Sequence, residues 1–198
     1  MKASDHRARA RKMLGEKIFG NTWLLALVVC LIVTAILGAL SFTLVGTLIV
    51  VGAFEVALAG IFLRLARKQE EVKIERVFNG FSENFPRNLL LGLLKEIFIA
   101  LWTLLFIVPG IVKYCAYSMS SFIAYDHPDY DWKKCLDESQ RMMKGHKMKY
   151  FLLNLSFIGW MIVGALCLGV GLLWVKPYIT AAQTSFYQNL VGEATQEN

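Results

Sequence analysis

A single carboxylate lies deep inside an apolar run of this 198-residue chain. Glu55 sits near the middle of residues 44–63, which are otherwise free of charge. An ionised side chain at that depth of a membrane costs on the order of a few kcal/mol, so a carboxylate there is a functional hypothesis by default. Two interpretations remain open. Glu55 relays protons or pairs with a substrate cation, or it is a protonated or hydrogen-bonded residue that fixes helix packing.

Polar side chains also follow one helical face after Val108-Pro109-Gly110. Tyr114, Tyr117, Ser118 and Ser121 have the i, i+3, i+4, i+7 spacing that places residues on one side of a helix. A second polar set occupies residues 177–190. The resulting candidate buried polar or ligand site is Glu55, Tyr114, Tyr117, Ser118, Ser121, Tyr178 and Gln183.

Five basic residues are candidates for contact with lipid headgroups: Lys113, Lys176, Lys144, His146 and Lys147. Lys113 and Lys176 each follow a predicted outer turn and precede a tyrosine, so as a pair they are suited to a lipid phosphate. The alternative is that each cation snorkels to water alone, or stabilises a helix C-terminus through the helix dipole. The Lys95-Glu96 pair is predicted to be interfacial or snorkelling.

Motifs of known catalytic chemistry are missing from the sequence. It has no Ser-His-Asp order, HExxH, Walker loop or GxGxxG, and its four cysteines form no CxxC pair. The three histidines are scattered. We therefore expect no enzyme activity, no metal, no cofactor and no disulfide, with a small intramembrane lipid enzyme as the remaining enzymatic alternative.

The composition is that of a membrane protein, since 56% of the residues are hydrophobic and only 18% are charged. We predict an all-α polytopic protein of six transmembrane helices, arranged as three helical hairpins with amphipathic cytosolic segments between them. The predicted membrane segments are residues 22–40, 44–63, 89–108, 110–125, 150–170 and 177–190. An amphipathic helix is expected within 67–87, and another is expected after a cap at Asp129 or Asp131.

The placement of cations predicts the orientation. Of 21 Lys and Arg residues, only Lys95, Lys113 and Lys176 lie within or at the turns of the apolar runs. Cations concentrate on the cytosolic side of membrane proteins, so we expect both termini in the cytoplasm. The basic segments suit anionic lipid rather than nucleic acid.

A repeat is also predicted. A shift of 64 residues places Tyr114 on Tyr178 and Ser121 on Ser185. This suggests one integral membrane domain, residues 1–198, built from repeat units at 1–66, 67–130 and 131–198.

Several runs resemble a known family: LWTLLFIVPGIVKYCAYSMSSFIAYD, ESQRMMKGHK, LSFIGW and LWVKPY. They are similar to those of a bacterial integral membrane family catalogued as domain of unknown function nine-seven-five. The resemblance implies a multi-pass protein of the bacterial plasma membrane. It implies no catalytic residue, substrate or cofactor.

Two classes of function compete. The first is a non-catalytic membrane protein that binds lipid, a hydrophobic peptide, a membrane-protein partner or a second copy of itself. The second is a small transporter or export factor with a polar path through Glu55. Coupled transporters usually carry several buried ionisable residues and helices broken at mid-membrane, so the sequence favours the first class.

Overall fold

The structure is a computed structural model that describes residues 2–14, 21–40, 44–68, 74–78, 84–166 and 170–196. Within these ranges all regular secondary structure is helical. The α-helices are α1 (Ala3–Leu14), α2 (Asn21–Leu40), α3 (Leu44–Ala66), α4 (Phe85–Leu105), α5 (Ile107–Tyr117), α6 (Ser120–Asp126), α7 (Trp132–Met142), α8 (Lys147–Leu155), α9 (Ile158–Leu166) and α10 (Val170–Gln196). A short 3₁₀ helix, Ile74–Phe78, precedes α4.

The helical class predicted from the sequence is confirmed. Among the described residues, three helical stretches are long and apolar enough to cross a membrane: Asn21–Gly38, Phe85–Leu105 and Ile107–Asp126. The third of these stretches contains both α5 and α6. The predicted turn at residues 41–43 lies outside the described residues.

The break between the third and fourth predicted membrane segments was expected at Pro109. It lies three residues earlier, at Phe106. Phe106, with φ −157° and ψ 140°, is the extended residue between α4 and α5, whereas Pro109 and Gly110 are already helical. Pro109 is tolerated because the first turn of a helix does not need its N–H. Gly110 is required by a close approach rather than by a turn, since a methyl group there would lie 2.8 Å from the Cα of Thr103.

Two predicted membrane segments are interrupted. The segment after Gly110 breaks at Ser118-Met119, and the segment at 150–170 breaks at Ser156-Phe157. At each break a serine hydroxyl donates to a carbonyl three residues back, from Ser118 Oγ to Cys115 O at 2.8 Å and from Ser156 Oγ to Leu153 O at 2.6 Å. Such local bonds compete with helical ones.

The amphipathic helices are found in part. Helix α7 begins after the second of the two predicted caps, because the Asp131 side chain accepts a hydrogen bond from the Lys134 N–H at 2.8 Å. The prediction of one amphipathic helix within residues 67–87 is wrong for residues 84–87. Asn84 adopts a left-handed conformation with φ 54°, and Phe85 starts α4. Phe81 lies outside the described residues.

The chain divides into two compact units. The first comprises the described residues of Met1–Val33, Ile61–Ile74 and Met148–Asn198. In it α1 packs antiparallel to α10, and α8 and α9 also run antiparallel to α10. The contacts include aromatic rings, with the Phe157 ring edge-on to Tyr178 at 5.1 Å and Tyr150 edge-on to Phe186 at 5.3 Å.

The second unit comprises Thr34–Gly60 and Glu75–Lys147. Its helices α4 and α5 form a hairpin, and α7 packs against α4, α5 and α6. Arg87 joins the start of α4 to the turn between α6 and α7. Its guanidinium donates to Asn88 Oδ1 and to the carbonyls of Ala124, His127, Pro128 and Tyr130, at 2.9 to 3.3 Å.

Candidate functional site

Two glycines bring α3 and α4 into backbone contact within the second unit. A methyl group on Gly52 would overlap the carbonyl oxygen of Asn88 and would lie 2.8 Å from the Cα of Gly92. Small residues at helix crossings permit this approach in membranes. Ala53 and Ala57, which are also small residues of α3, are buried too. The two crossing glycines were missed.

One helical turn beyond each glycine, α3 and α4 contribute opposite charges. The ammonium of Lys95 forms an ion pair with Glu55 Oε2. Ser121 Oγ, from α6, donates to the same oxygen at 2.9 Å. Glu96 Oε1 lies 3.9 Å from the Lys95 ammonium. The Lys95 side chain is only 10% exposed and that of Glu55 is 33% exposed, so the pair is largely enclosed by protein.

This arrangement corrects the prediction for Lys95. A snorkelling or interfacial lysine would extend its ammonium towards water, whereas this one is buried against Glu55. A carboxylate deep in an apolar helix needs a partner, because an unpaired charge is costly in a low-dielectric interior. Only three cations interrupt the apolar runs or their turns, so the sequence narrows the possible partners of Glu55 to Lys95, Lys113 and Lys176.

The predicted polar stripe after Gly110 is divided among different environments. Ser121 joins the Glu55–Lys95 pair, and Tyr117 is buried with its ring 6.4 Å from that of Phe98. Ser118 bonds back to its own helix, and Tyr114 is exposed. The structure therefore brings together Glu55, Lys95 and Ser121.

The remaining two residues of the predicted site lie in the first unit, where they hold α1 and α8 against α10. Tyr178 accepts a hydrogen bond from Arg11 Nε at 3.2 Å, and its hydroxyl donates to Arg7 O at 3.3 Å. Gln183 Nε2 donates to Asn154 Oδ1 at 3.3 Å. Both side chains thus make helix–helix contacts within their own unit.

Lys113 is held inside the second unit. Its ammonium lies 3.2 Å from Gln140 Oε1 on α7, 5.3 Å from the ring of Trp102 and 5.4 Å from that of Tyr117. Such cation–π contacts are worth about 0.5–1 kcal/mol each at exposed sites and more where water is excluded. Gln140 thereby ties Lys113 to the polar helix α7.

The other basic candidates lie at two places. Lys144, His146 and Lys147 surround the turn after α7, where Gly145 has φ 77°. Lys176 is an exposed residue of α10. Contact of any of these residues with lipid headgroups stays a prediction.

Few other chemical groups cluster in the part of the chain that the structure describes. There, no three side chains of His, Cys, Asp or Glu come together as metal ligands. Cys30, Cys115 and Cys135 are buried free thiols, and Cys167 lies outside the described residues. Burial raises the pKa of Cys135 to about 11, which disfavours the reactive thiolate. The cluster of Glu55, Lys95 and Ser121 can neutralise charge and exchange hydrogen bonds.

A family model covers nearly the whole chain. The model described as "Protein of unknown function (DUF975)" matches residues 1–115 and 106–194. The chain belongs to this family. The resemblance seen in the sequence runs is confirmed in this respect. Comparison with curated proteins and comparison with solved structures each gave no match.

Proposed function

We propose that this protein is a non-catalytic protein of the bacterial plasma membrane that binds lipid, a hydrophobic peptide or a membrane-protein partner. The observation that carries the proposal is the pairing of Glu55 with Lys95. A carboxylate neutralised by the chain itself does not require a substrate cation.

The proposed topology has six helical segments that enter the membrane as three hairpins, with both termini in the cytoplasm. The three membrane-compatible stretches and the concentration of cations outside the apolar runs support it. Apolar side chains on α9, including Trp160, Ile162 and Val163, are exposed, as expected of a surface that faces lipid. Reporter fusions after Lys68 and Lys134 should give cytoplasmic signals, and a periplasmic signal at either site would contradict this topology.

The binding function is tested by native mass spectrometry of the protein released intact from its own membrane. We expect wild type to retain lipid or a protein partner, and Glu55→Gln to retain the same species. Glu96→Gln is the comparison variant, because it removes the more distant carboxylate of Lys95, at 3.9 Å, and leaves the Glu55–Lys95 pair in place. A wild-type protein that carries neither lipid nor partner would contradict the proposal.

A small transporter or export factor is the second candidate. The observation in its favour is that one-third of the Glu55 side chain remains exposed, with the Ser121 hydroxyl bonded to the same carboxylate oxygen. A carboxylate and a hydroxyl in contact are suitable members of a proton path. This function requires that removal of the Glu55 charge abolish a measurable flux.

A further inference from the structure

The turn of the α4–α5 hairpin carries a compact apolar surface. We call residues 103–112 the apolar tip, which has no charged residue. Leu104 is 86% exposed and Phe106 is 68% exposed, and Leu105, Ile107 and Val108 are similarly uncovered. A contiguous exposed surface of this kind marks a site of contact with membrane or protein.

The polar helix α7 lies beside the opposite part of the same hairpin. Ser139 Oγ donates to Ala116 O at 2.7 Å and accepts from the Met119 N–H at 3.2 Å. At the other end, Arg87 near the start of α4 donates to Tyr130 O just before α7. Helix α7 therefore runs along the hairpin from the level of Arg87 to that of Ala116.

The outer face of α7 is charged, which shows whether this part of the hairpin lies in hydrocarbon or in a polar environment. Lys133, Lys134, Asp137 and Arg141 are all exposed on it. Four charged side chains on one face belong in water or among headgroups, because each would be costly in hydrocarbon. The hydrocarbon must begin beyond α7, towards the apolar tip.

The hairpin residues beside the C-terminal end of α7 are of the types found at membrane interfaces. Trp102 and Tyr114 are exposed there, and the Lys113 ammonium extends to Gln140 of α7. Trp and Tyr favour the headgroup level, and a lysine near it reaches back towards polar surroundings. From Lys113 to Ile107 the helix rises about 9 Å, at 1.5 Å per residue. The hydrocarbon core is about 30 Å thick, so the tip ends within the leaflet that it enters.

The backbone of the turn suits an apolar environment. Phe106 donates its N–H to Trp102 O at 3.0 Å and accepts from the Gly110 N–H at 3.2 Å. Pro109 has no N–H to satisfy, and the Thr103 hydroxyl donates to Ile99 O at 2.7 Å. Each polar group that is bonded within the turn costs less in hydrocarbon than an unpaired one.

We propose that the α4–α5 hairpin is a re-entrant element, which enters the bilayer tip first from the side on which α7 lies and turns back among the acyl chains. The partner of the apolar tip is thus lipid hydrocarbon. The inference rests on the proposed membrane location. It replaces the outer aqueous turn expected from the sequence with a turn inside the membrane, and leaves both ends of the hairpin in the cytoplasm.

Single-cysteine variants of the full chain test the depth of the turn. Phe106→Cys and Val108→Cys are made with the native cysteines replaced by alanine, and Lys134→Cys on α7 is the matched control. In intact cells and in inverted vesicles, an impermeant maleimide should label Lys134→Cys from the cytoplasmic side and the two tip variants from neither side. With nitroxide labels, the tip variants should be relaxed by oxygen, which concentrates in hydrocarbon, and not by a water-soluble nickel chelate.

The outcomes separate this inference from the membrane proposal on which it rests. Labelling of the tip variants from the periplasmic side, with the protein still membrane-bound, would overturn the re-entrant hairpin alone. Tip labels shielded from both oxygen and nickel would show a protein partner or a second copy in place of lipid, and would also overturn it. Release of wild type by alkaline carbonate would overturn the membrane location itself.

Discussion

Breaking the Glu55–Lys95 ion pair should destabilise the protein, and breaking both sides together should cost much less than the sum. Lys95→Met removes the ammonium and keeps an apolar side chain of similar length. Glu55 is then left with Ser121 as its hydrogen-bond donor from another helix. Glu55→Gln removes the negative charge and keeps an oxygen that Ser121 can bond.

The magnitude follows from burial. Removing one partner of a fully buried pair costs about 3–5 kcal/mol, because an uncompensated charge remains. Glu55 is 33% exposed, so solvent screens part of this penalty. We expect Lys95→Met to cost about 2 kcal/mol, and the double variant to show a favourable coupling of about 1–2 kcal/mol.

The assay is a double-mutant cycle on unfolding in mixed micelles, followed by circular dichroism as sodium dodecyl sulfate is added. The four proteins are wild type, the two single variants and the double variant, with Glu96→Gln as the control for loss of a nearby carboxylate. If the two single effects simply add, the two side chains do not interact and the geometry of the site is wrong.

Three further changes test the packing around the site and at the N-terminus. Gly92→Ala places a methyl group 2.6 Å from the Gly52 backbone nitrogen and should cost about 1–3 kcal/mol by unfolding, whereas Gly159→Ala meets nothing within 4 Å and should not destabilise. Arg87→Lys should cost about 2–4 kcal/mol in the same assay, because an ammonium cannot reproduce hydrogen bonds to four carbonyls; an unchanged midpoint would refute this. Burial, together with the N-terminal charge and Arg9, lowers the pKa of His6 from 6.5, so the docking of α1 should weaken as pH falls below about 6.5. Hydrogen exchange of the α1 amides should show this loss in wild type and not in His6→Asn.

The sign of the His6 effect follows from linkage. The docked histidine is kept neutral by burial, whereas an undocked one binds a proton near its ordinary pKa. Docking stability is therefore complete above pH 6.5 and is lost as the pH falls towards the lower pKa of the docked form. Protection of the α1 amides that stays constant between pH 7 and pH 5 would contradict this prediction.

The sequence identified two members of the central cluster, Glu55 and Ser121, and missed Lys95, the ion-pair partner of Glu55. Glu55 stands out because a lone acid interrupts an apolar run. The choice of Lys95 over Lys113 or Lys176 as its partner depends on how α3 crosses α4, and that crossing is set by two glycines 40 positions apart. Helical periodicity describes one helix at a time, so it cannot supply this long-range contact.

The polar faces after Gly110 and in residues 177–190 were predicted to share one site, and they pack differently, because neighbouring helices decide the environment of each face. Tyr114 and Tyr178 occupy equivalent positions under the 64-residue shift, yet Tyr114 is exposed and Tyr178 is buried against α1. The same pattern therefore packs differently according to its neighbours. The break at Phe106 was missed because Pro109 is as acceptable in the first turn of a helix as in a loop.

Proton flux in liposomes tests the central claim most directly. Purified protein is reconstituted with a pH-sensitive dye inside, and a pH gradient with a valinomycin-clamped potential is applied across the bilayer. We predict that wild type, Glu55→Gln and Lys95→Met conduct no more protons than empty liposomes, because the carboxylate is an internally neutralised packing element. A wild-type flux that Glu55→Gln abolishes and Glu96→Gln preserves would contradict the account and establish transport.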